Sequence, residues 1–429
     1  MVWMTAAEAL DVLNVRPQTL YANVSRGKIR ARPDEVDPRR SLYHRDDVLR
    51  MARRANGRRK VEIVSSEAMQ YGDPVLPSSI STIADGRLLY RGYDAALLAE
   101  RASLEEIAVL LWQCEAAEVW PGARLAVRED GGDSKAGGNG AIGGGDVSDR
   151  GGALGRGGDG DGSGGAHGDG SALAAGLLAL ARRSAVDAAS LGRSPAELRA
   201  EAAQVLVTLV GAMTGTPDGG GEAIHLRLAH AWHAEPHADL IRRALVLMAD
   251  NELNASTFAT RVAISTGASL AAGVLAGFTT LTGPLHGGAA KEFAQLVTQA
   301  QESSADEAVR AWLASGKPLP AFGHPLYSAG DPRAQALIKL LPKIQLYEAL
   351  TASAAQHAGE LPNCDYALSL LTTACGLPDD APFMLFAIGR CVGWLAHALE
   401  QVQANRLIRP RARYTGPAPL NAGINAEIY

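Results

Sequence analysis

The chain has 429 residues, of which 47% are hydrophobic and 20% charged, and carries a formal net charge of −5. This is the balance of a soluble globular protein, with length for one large core or two to three domains. Aromatic residues are scarce at 5% and alanine is abundant, which disfavours a β-sandwich and favours helices packed through small side chains. Cys114, Cys364, Cys375 and Cys391 show neither C-x-x-C nor Cys/His ligand spacing, arguing against a disulfide scaffold or a zinc site and for a reducing compartment. Met1 to Arg16 lacks a basic-then-apolar leader. The long small-and-apolar run Val262 to Leu281 has charges and histidines near both ends and reads as one buried helix, so a cytoplasmic protein with no membrane partner is expected.

The first 60 residues differ from the rest, with lysine and arginine crowding Arg26 to Lys60 on an otherwise acidic chain. Thr5 reads as an N-cap with Glu8 at the capping-box position, and Leu10, Leu13 and Val15 form the apolar face of a short helix. Pro17 suits the start of a second helix, Gln18 to Ser25, which Gly27 stops. Two short helices joined by a tight turn predict a helix-turn-helix whose second helix enters a major groove. Gln18, Thr19, Tyr21 and Arg26, with Lys28, Arg39 and Arg40 beyond, are the candidate DNA-contacting residues. With Leu42-Tyr43-His44-Arg45-Asp46-Asp47-Val48, the head resembles the MerR/excisionase type of winged helix. The competing reading is a helical appendage for protein contacts or solubility.

Past Ser79, Asp85-Gly86 predicts a hairpin turn between two short apolar runs. A helix should follow, with Leu97, Leu98, Leu104, Ile107, Leu110 and Leu111 on its buried stripe. Residues 129–170 are nearly all Gly, Asp, Ser and Ala and predict a disordered insert. Within it, Gly155-x-Gly157-x-x-Gly160 has no preceding strand, and the calcium-loop start at Asp159 lacks a glutamate at position twelve, so neither is a site. Helices are expected again from Ala172, over Ala196 to Gly211 and over Pro236 to Leu253.

The chemistry gathers around Gly283-Pro284-Leu285-His286-Gly287-Gly288, which opens a helix at Ala289. A lone histidine in such a turn is more often a capping or core residue. Here it has company: Asp250-Asn251-Glu252 upstream, then Phe322-Gly323-His324-Pro325, Asp331-Pro332-Arg333, Asn363-Cys364-Asp365-Tyr366 at the mouth of an apolar helix, and Arg390 and Arg409 near the C-terminus. Such a set suits carbon–carbon condensation on a dicarboxylate. A carboxylate whose pKa is raised by burial takes a proton alpha to a thioester. A neutral histidine meets the enolate oxygen, a second histidine polarises the ketone, and arginine forks hold the acceptor's carboxylates. No metal or other cofactor is required, and no G-x-S-x-G elbow supports a serine hydrolase.

Gly-Pro-Leu-His-Gly-Gly, Phe-Gly-His followed by Asp-Pro-Arg, and Asn-Cys-Asp-Tyr together resemble citrate synthase, as does Leu88 to Tyr93 with Leu104 to Trp112 for the bacterial type. The likeness runs from about Ser79 to Tyr414 around the insert. It implies a mainly α fold of large and small helical domains behind the winged helix-turn-helix: 1–60 the head, 61–128 and 171–282 the large domain, 129–170 the insert, 283–380 the small domain, and 381–429 the large domain's C-terminal part. It also implies a homodimer or higher oligomer, and acetyl-CoA and oxaloacetate as substrates rather than cofactors. In these terms His286 stabilises the enol, Asp365 is the base, and His324 binds the oxaloacetate carbonyl. Asn251, Arg333 and Arg390 bind substrate, with Arg409 reaching in from a neighbouring subunit. The chain departs from the family pattern in carrying Asn251 for the usual histidine and Pro325 for a common arginine. Two further readings are a methylcitrate synthase using propionyl-CoA, and a DNA-binding metabolite sensor on the same fold.

Overall fold

A computed structural model describes residues 3–13, 20, 24, 29–34, 41–45, 47–48, 76–120, 171–216, 221–412 and 416. The chain separates into two units, Met1–Pro77 with Pro410–Tyr429, and Ser78–Arg409. The glycine-rich stretch 129–170 and all seven candidate DNA-contacting residues (Gln18, Thr19, Tyr21, Arg26, Lys28, Arg39 and Arg40) lie outside the described residues.

In the first unit, α1 (Ala6–Leu13) starts where the sequence places it. Glu8 accepts from the Thr5 N–H at 2.8 Å, and the Thr5 hydroxyl accepts from the Glu8 N–H at 3.4 Å, the reciprocal pair of a capping box. Three antiparallel strands, β1 (Trp3–Met4), β2 (Ala31–Pro33) and β3 (Ser41–His44), lie in the order β1-β3-β2. Met4, Ala9, Leu13, Leu20, Ile29, Tyr43 and Val48 form a small core of their own. Asp47 grips Arg30 at its guanidinium, Nε–Oδ2 at 2.7 Å and Nη2–Oδ1 at 3.1 Å, and accepts its backbone N–H at 3.2 Å.

The second unit is helical apart from a small antiparallel sheet of β4 (Ser81–Ala84), β5 (Arg87–Tyr90) and β6 (Tyr93–Asp94). Asp85 and Gly86 both take positive φ, 51° and 71°, which gives the two-residue turn the twist a hairpin needs. One buried face of this hairpin fixes the segment that carries Asn251. The Tyr90 hydroxyl sits within 3.0 Å of the Val246 carbonyl and accepts the Asp250 N–H at 3.2 Å. Ser81 donates to Asp250 Oδ2, and Glu252 Oε1 accepts from the Ile83 N–H at 2.8 Å.

The predicted single helix after the hairpin is two, α2 (Ala95–Ala99) and α3 (Leu104–Trp112). Ser103 breaks the run, because its side chain and that of Glu106 form a second capping box, and Leu97 is left 60% exposed. Val262 to Leu281 is likewise not one helix. It is the end of α9 (Ala255–Ser265) followed by α10 (Leu270–Leu281), divided at Gly267 with φ +85° and restarted by the Ser269 N-cap. Between the two pairs lie α4 (Ala116–Val119), α5 (Ala172–Val186), α6 (Pro195–Thr214), α7 (Ile224–Ala231) and α8 (Ala238–Met248). The helix expected over Pro236 to Leu253 is shorter at both ends, with residues 235–237 in a separate 3-10 turn and α8 ending at Met248.

After α10 come α11 (Ala289–Glu302), α12 (Ala305–Ala314), α13 (Pro332–Ile338), α14 (Gln345–His357), α15 (Cys364–Cys375) and α16 (Ala381–Ala404). Only α16, among the described residues, is long and apolar enough to cross a membrane, and 94% of that apolar stretch is buried inside this unit. It is the axis of the core. Gly389 and Gly393 let it approach the end of α8 closely: a Cβ at Gly389 would stand 2.7 Å from the Leu245 carbonyl, and one at Gly393 would stand 2.5 Å from Asp250 Oδ1. The two glycines flank Arg390 and bring it to the segment that bears Asn251.

Candidate active site

Loop-to-helix junctions and the interior of α16 supply the site. The turn Gly283 to Gly288 is held by the Gly283 carbonyl, which accepts from the N–H groups of His286 at 2.9 Å and Gly288 at 3.0 Å. A Cβ at Gly288 would meet that carbonyl at 2.7 Å, so glycine is required for the turn to close. His286 thus stands at the mouth of α11, partly buried, while its neighbour Leu285 is 91% exposed.

The His286 ring meets Phe386 edge-on at 5.8 Å, and its Nε2 lies 2.8 Å from Ser256 Oγ. Ser256 is fully buried and also bonds Asn254 Oδ1 at 2.7 Å and the Trp394 indole N–H at 3.1 Å. The indole only donates and the amide oxygen only accepts. The hydroxyl's single proton, turned to Asn254 or to His286, therefore sets which imidazole nitrogen carries the proton. Burial, reinforced by the charges of Arg390 and Arg333, pushes the His286 pKa down to about 4, so the ring is neutral near pH 7.

His324 follows Gly323, whose φ of +69° only glycine takes without strain. Its Nδ1 accepts the Leu326 N–H at 3.2 Å, which puts the proton of the neutral ring on Nε2, where no described residue accepts it. Burial and then Arg333 bring its pKa down to about 4 as well. Its ring lies 4.6 Å from that of Tyr327.

Asp365 is in the first turn of α15, whose N-cap Asn363 accepts the Asp365 N–H at 2.9 Å. No hydrogen bond from a described residue reaches its carboxylate. Burial raises its pKa to about 7, against the opposing pull of Arg333.

The two buried arginines differ. Arg333 is engaged by Asp331 through two bonds, and its guanidinium lies 5.6 Å from the Tyr327 ring centroid. Arg390, 1% exposed, donates from Nε to the Met248 carbonyl at 2.9 Å and packs over Phe386 at 4.9 Å. Among the described residues its Nη2 has no partner and no carboxylate forms an ion pair with it, and the atom is sealed from solvent. Burial lowers its pKa, against the opposing charge of Asp250 and with a further contribution from Arg333. A buried cation with an unsatisfied donor is suited to receive an anionic ligand.

Asn251 is buried too, and its Oδ1 takes the Tyr327 hydroxyl at 2.5 Å. The structure thus brings His286, His324, Asp365, Asn251, Arg333 and Arg390 into one network of contacts and fields, while Arg409 stands exposed at the end of this unit. Ser256, Tyr327 and Phe386 were not singled out by the sequence, and Asp331 was named only as part of the motif around Arg333. Ser256 lies in the first turn of α9 and Asp331 is the N-cap of α13, so each also has a local helical role.

Two neutral histidines, a carboxylate that titrates near neutrality and two buried arginines, carried on a helical fold, define a site for acid–base chemistry on an anionic substrate. The sequence profile of the "Citrate synthase, C-terminal domain" family matches residues 170–411, more than half of the chain, and the chain belongs to that family. It is 38% identical over 190 residues to Citrate synthase 2 of Bacillus subtilis, covering 42% of this chain and 51% of that protein. It is 34% identical over 186 residues to 2-methylcitrate synthase of Mycobacterium tuberculosis, covering 41% and 47%. The chain spans about half the length of the relatives it matches. The fold is also that of Thermoplasma acidophilum citrate synthase, solved with carboxymethyl coenzyme A and oxaloacetate, at a TM-score of 0.60 and 24% identity over 85% of this chain and 99% of that one.

Proposed function

We propose that this protein is a citrate synthase, condensing acetyl-CoA with oxaloacetate and water to give citrate and free CoA. The observation that carries the reading is the orphaned Nη2 of Arg390, a buried donor beside the two neutral histidines. A substrate carboxylate at Arg390 satisfies it, and Arg333 adds positive field while remaining tied to Asp331.

With oxaloacetate held there, Nε2–H of His324 donates to the keto oxygen and makes its carbon electrophilic. Asp365, ionised near neutral pH, takes a proton from the acetyl methyl group. With the Ser256 proton turned to His286 Nε2, the Nδ1–H donates to the enolate oxygen as charge develops there. The enol carbon attacks the ketone, and water then cleaves the citryl thioester. Residues 283–380 serve as the small domain closing on the rest, and Arg409 completes the carboxylate site from a neighbouring copy in a dimer. No cofactor enters the scheme. The test is citrate formation from acetyl-CoA and oxaloacetate, with propionyl-CoA as a competing donor that would give methylcitrate. Absence of both products overturns the reading.

The head is assigned as a winged helix-turn-helix that binds DNA, a reading supported by its capping box, its three antiparallel strands and the basic run from Arg26 to Lys60. Neutralising Arg39 and Arg40 should lower the salt dependence of duplex binding. A chain not retained on DNA at low salt removes this assignment. A sensor that had lost catalysis would have no need for the intact His286, His324 and Asp365.

A further inference from the structure

We propose that Tyr327 is a positioning residue that locks the Asn251 amide with its NH2 group toward the oxaloacetate, making residue 251 a fixed, uncharged, double donor. This deepens the citrate synthase reading and rests on it.

Tyr327 is 4% exposed and touches three of the candidate substrate groups at once. Its ring lies 4.6 Å from His324 and 5.6 Å below the Arg333 guanidinium, and its hydroxyl stands 2.5 Å from Asn251 Oδ1. The sense of that last bond follows from the partners. The phenol has one proton and makes no other hydrogen bond among the described residues, so it donates and the amide oxygen accepts. Burial keeps the phenol protonated, and the donor survives through the neutral and mildly alkaline range.

With Oδ1 committed, the other end of the amide must be the nitrogen. Asn251 Nδ2 donates to no described residue and is not among the sealed, unpartnered atoms, so it keeps accessible surface from which a ligand can be met. The hairpin fixes the backbone beneath it: Asp250 and Glu252 on either side are bonded to Ser81 and Ile83. The backbone N–H groups of Asp250 and Glu252 are held as well, by the Tyr90 and Ser81 hydroxyls, and the bond from Tyr327 then orients the Asn251 amide. A residue that is neutral at every pH and offers two N–H groups suits a carboxylate or keto oxygen.

The experiment is calorimetric titration of oxaloacetate into the intact chain, with Asn251→Ala, Tyr327→Phe and the double variant compared, alongside kcat and KM. Tyr327→Phe should weaken oxaloacetate binding about tenfold, and raise its KM to match, while kcat stays within about twofold. In the Asn251→Ala background the same change should have almost no further effect, because Tyr327 acts through Asn251. Asn251→Asp should bind oxaloacetate far more weakly than Asn251→Ala, since it turns a carboxylate oxygen to the dianion. Equal losses from Tyr327→Phe with and without Asn251 overturn the proposal, as does a loss confined to kcat. A wild-type chain that does not bind oxaloacetate at all overturns it together with the citrate synthase reading, an outcome distinct from either of those.

Discussion

Arg333 and Asp331, two residues apart, form a bidentate ion pair sealed from solvent, with Nε–Oδ1 at 3.0 Å and Nη2–Oδ2 at 2.7 Å. Oδ1 also caps α13 through the Arg333 N–H at 3.0 Å, and Oδ2 takes the Cys364 N–H at 3.0 Å. One carboxylate thereby ties the arginine to the helix that carries Asp365. Burial alone would raise the Asp331 pKa, but Arg333 outweighs it and holds it below the usual carboxylate range. Removing one partner of such a pair strands the other charge, so Asp331→Ala should cost roughly 3–5 kcal/mol of stability. Urea unfolding checks this, with the loss seen in the midpoint.

Arg390 should behave differently. Among the described residues its guanidinium forms no ion pair, and Asp250, whose charge acts on it, is also held by His397 and Ser81, so Arg390→Leu should cost less stability than Asp331→Ala. The same substitution should weaken oxaloacetate binding by about a hundredfold or more, because it removes the charge on which the ligand is seated. A residue there for structure alone would lose stability and keep affinity.

Asp365 links activity and stability to pH. Burial raises its pKa from an ordinary 3.8 to about 7, so the folded state favours the protonated acid. Its contribution to stability is full below about pH 4 and is lost as pH rises to about 7. Asp365→Asn should therefore match the wild type in stability near pH 4 and exceed it at pH 8. The base must be ionised to act, so kcat/KM should rise with unit slope up to about pH 7 and then level. His286 and His324 remain neutral down to about 4 and add no break to that range.

The approach of α16 to the end of α8 gives a packing test. A methyl group at Gly393 would press on the Ala249 carbonyl and Asp250, and Gly393→Ala should cost roughly 1–3 kcal/mol. Because Asp250 adjoins Asn251, the variant should also raise the KM for oxaloacetate, measured at a temperature where it remains folded.

Local signals were legible in the sequence and tertiary ones were not. Thr5 with Glu8, Asp85-Gly86 and the glycine-bounded His286 turn each carry their structure in a few adjacent residues. The break at Gly267 was hidden because the alanine-rich run has no polar face to interrupt. The length and centrality of α16 were hidden for a related reason: it is buried nearly all round, so it lacks amphipathic periodicity. Among the site residues, histidine, aspartate and arginine drew attention as chemical types. Tyr327 and Ser256 matter through partners 76 and 30 residues away, a relation no local pattern expresses.

The most direct test is release of free CoA thiol from acetyl-CoA by the purified chain, with and without oxaloacetate, set beside Asp365→Asn. The account predicts thiol release that requires oxaloacetate and falls by about 100-fold to 10,000-fold in the variant. Release that is independent of oxaloacetate, or equal in the variant, would contradict it, as would no release with either acetyl-CoA or propionyl-CoA.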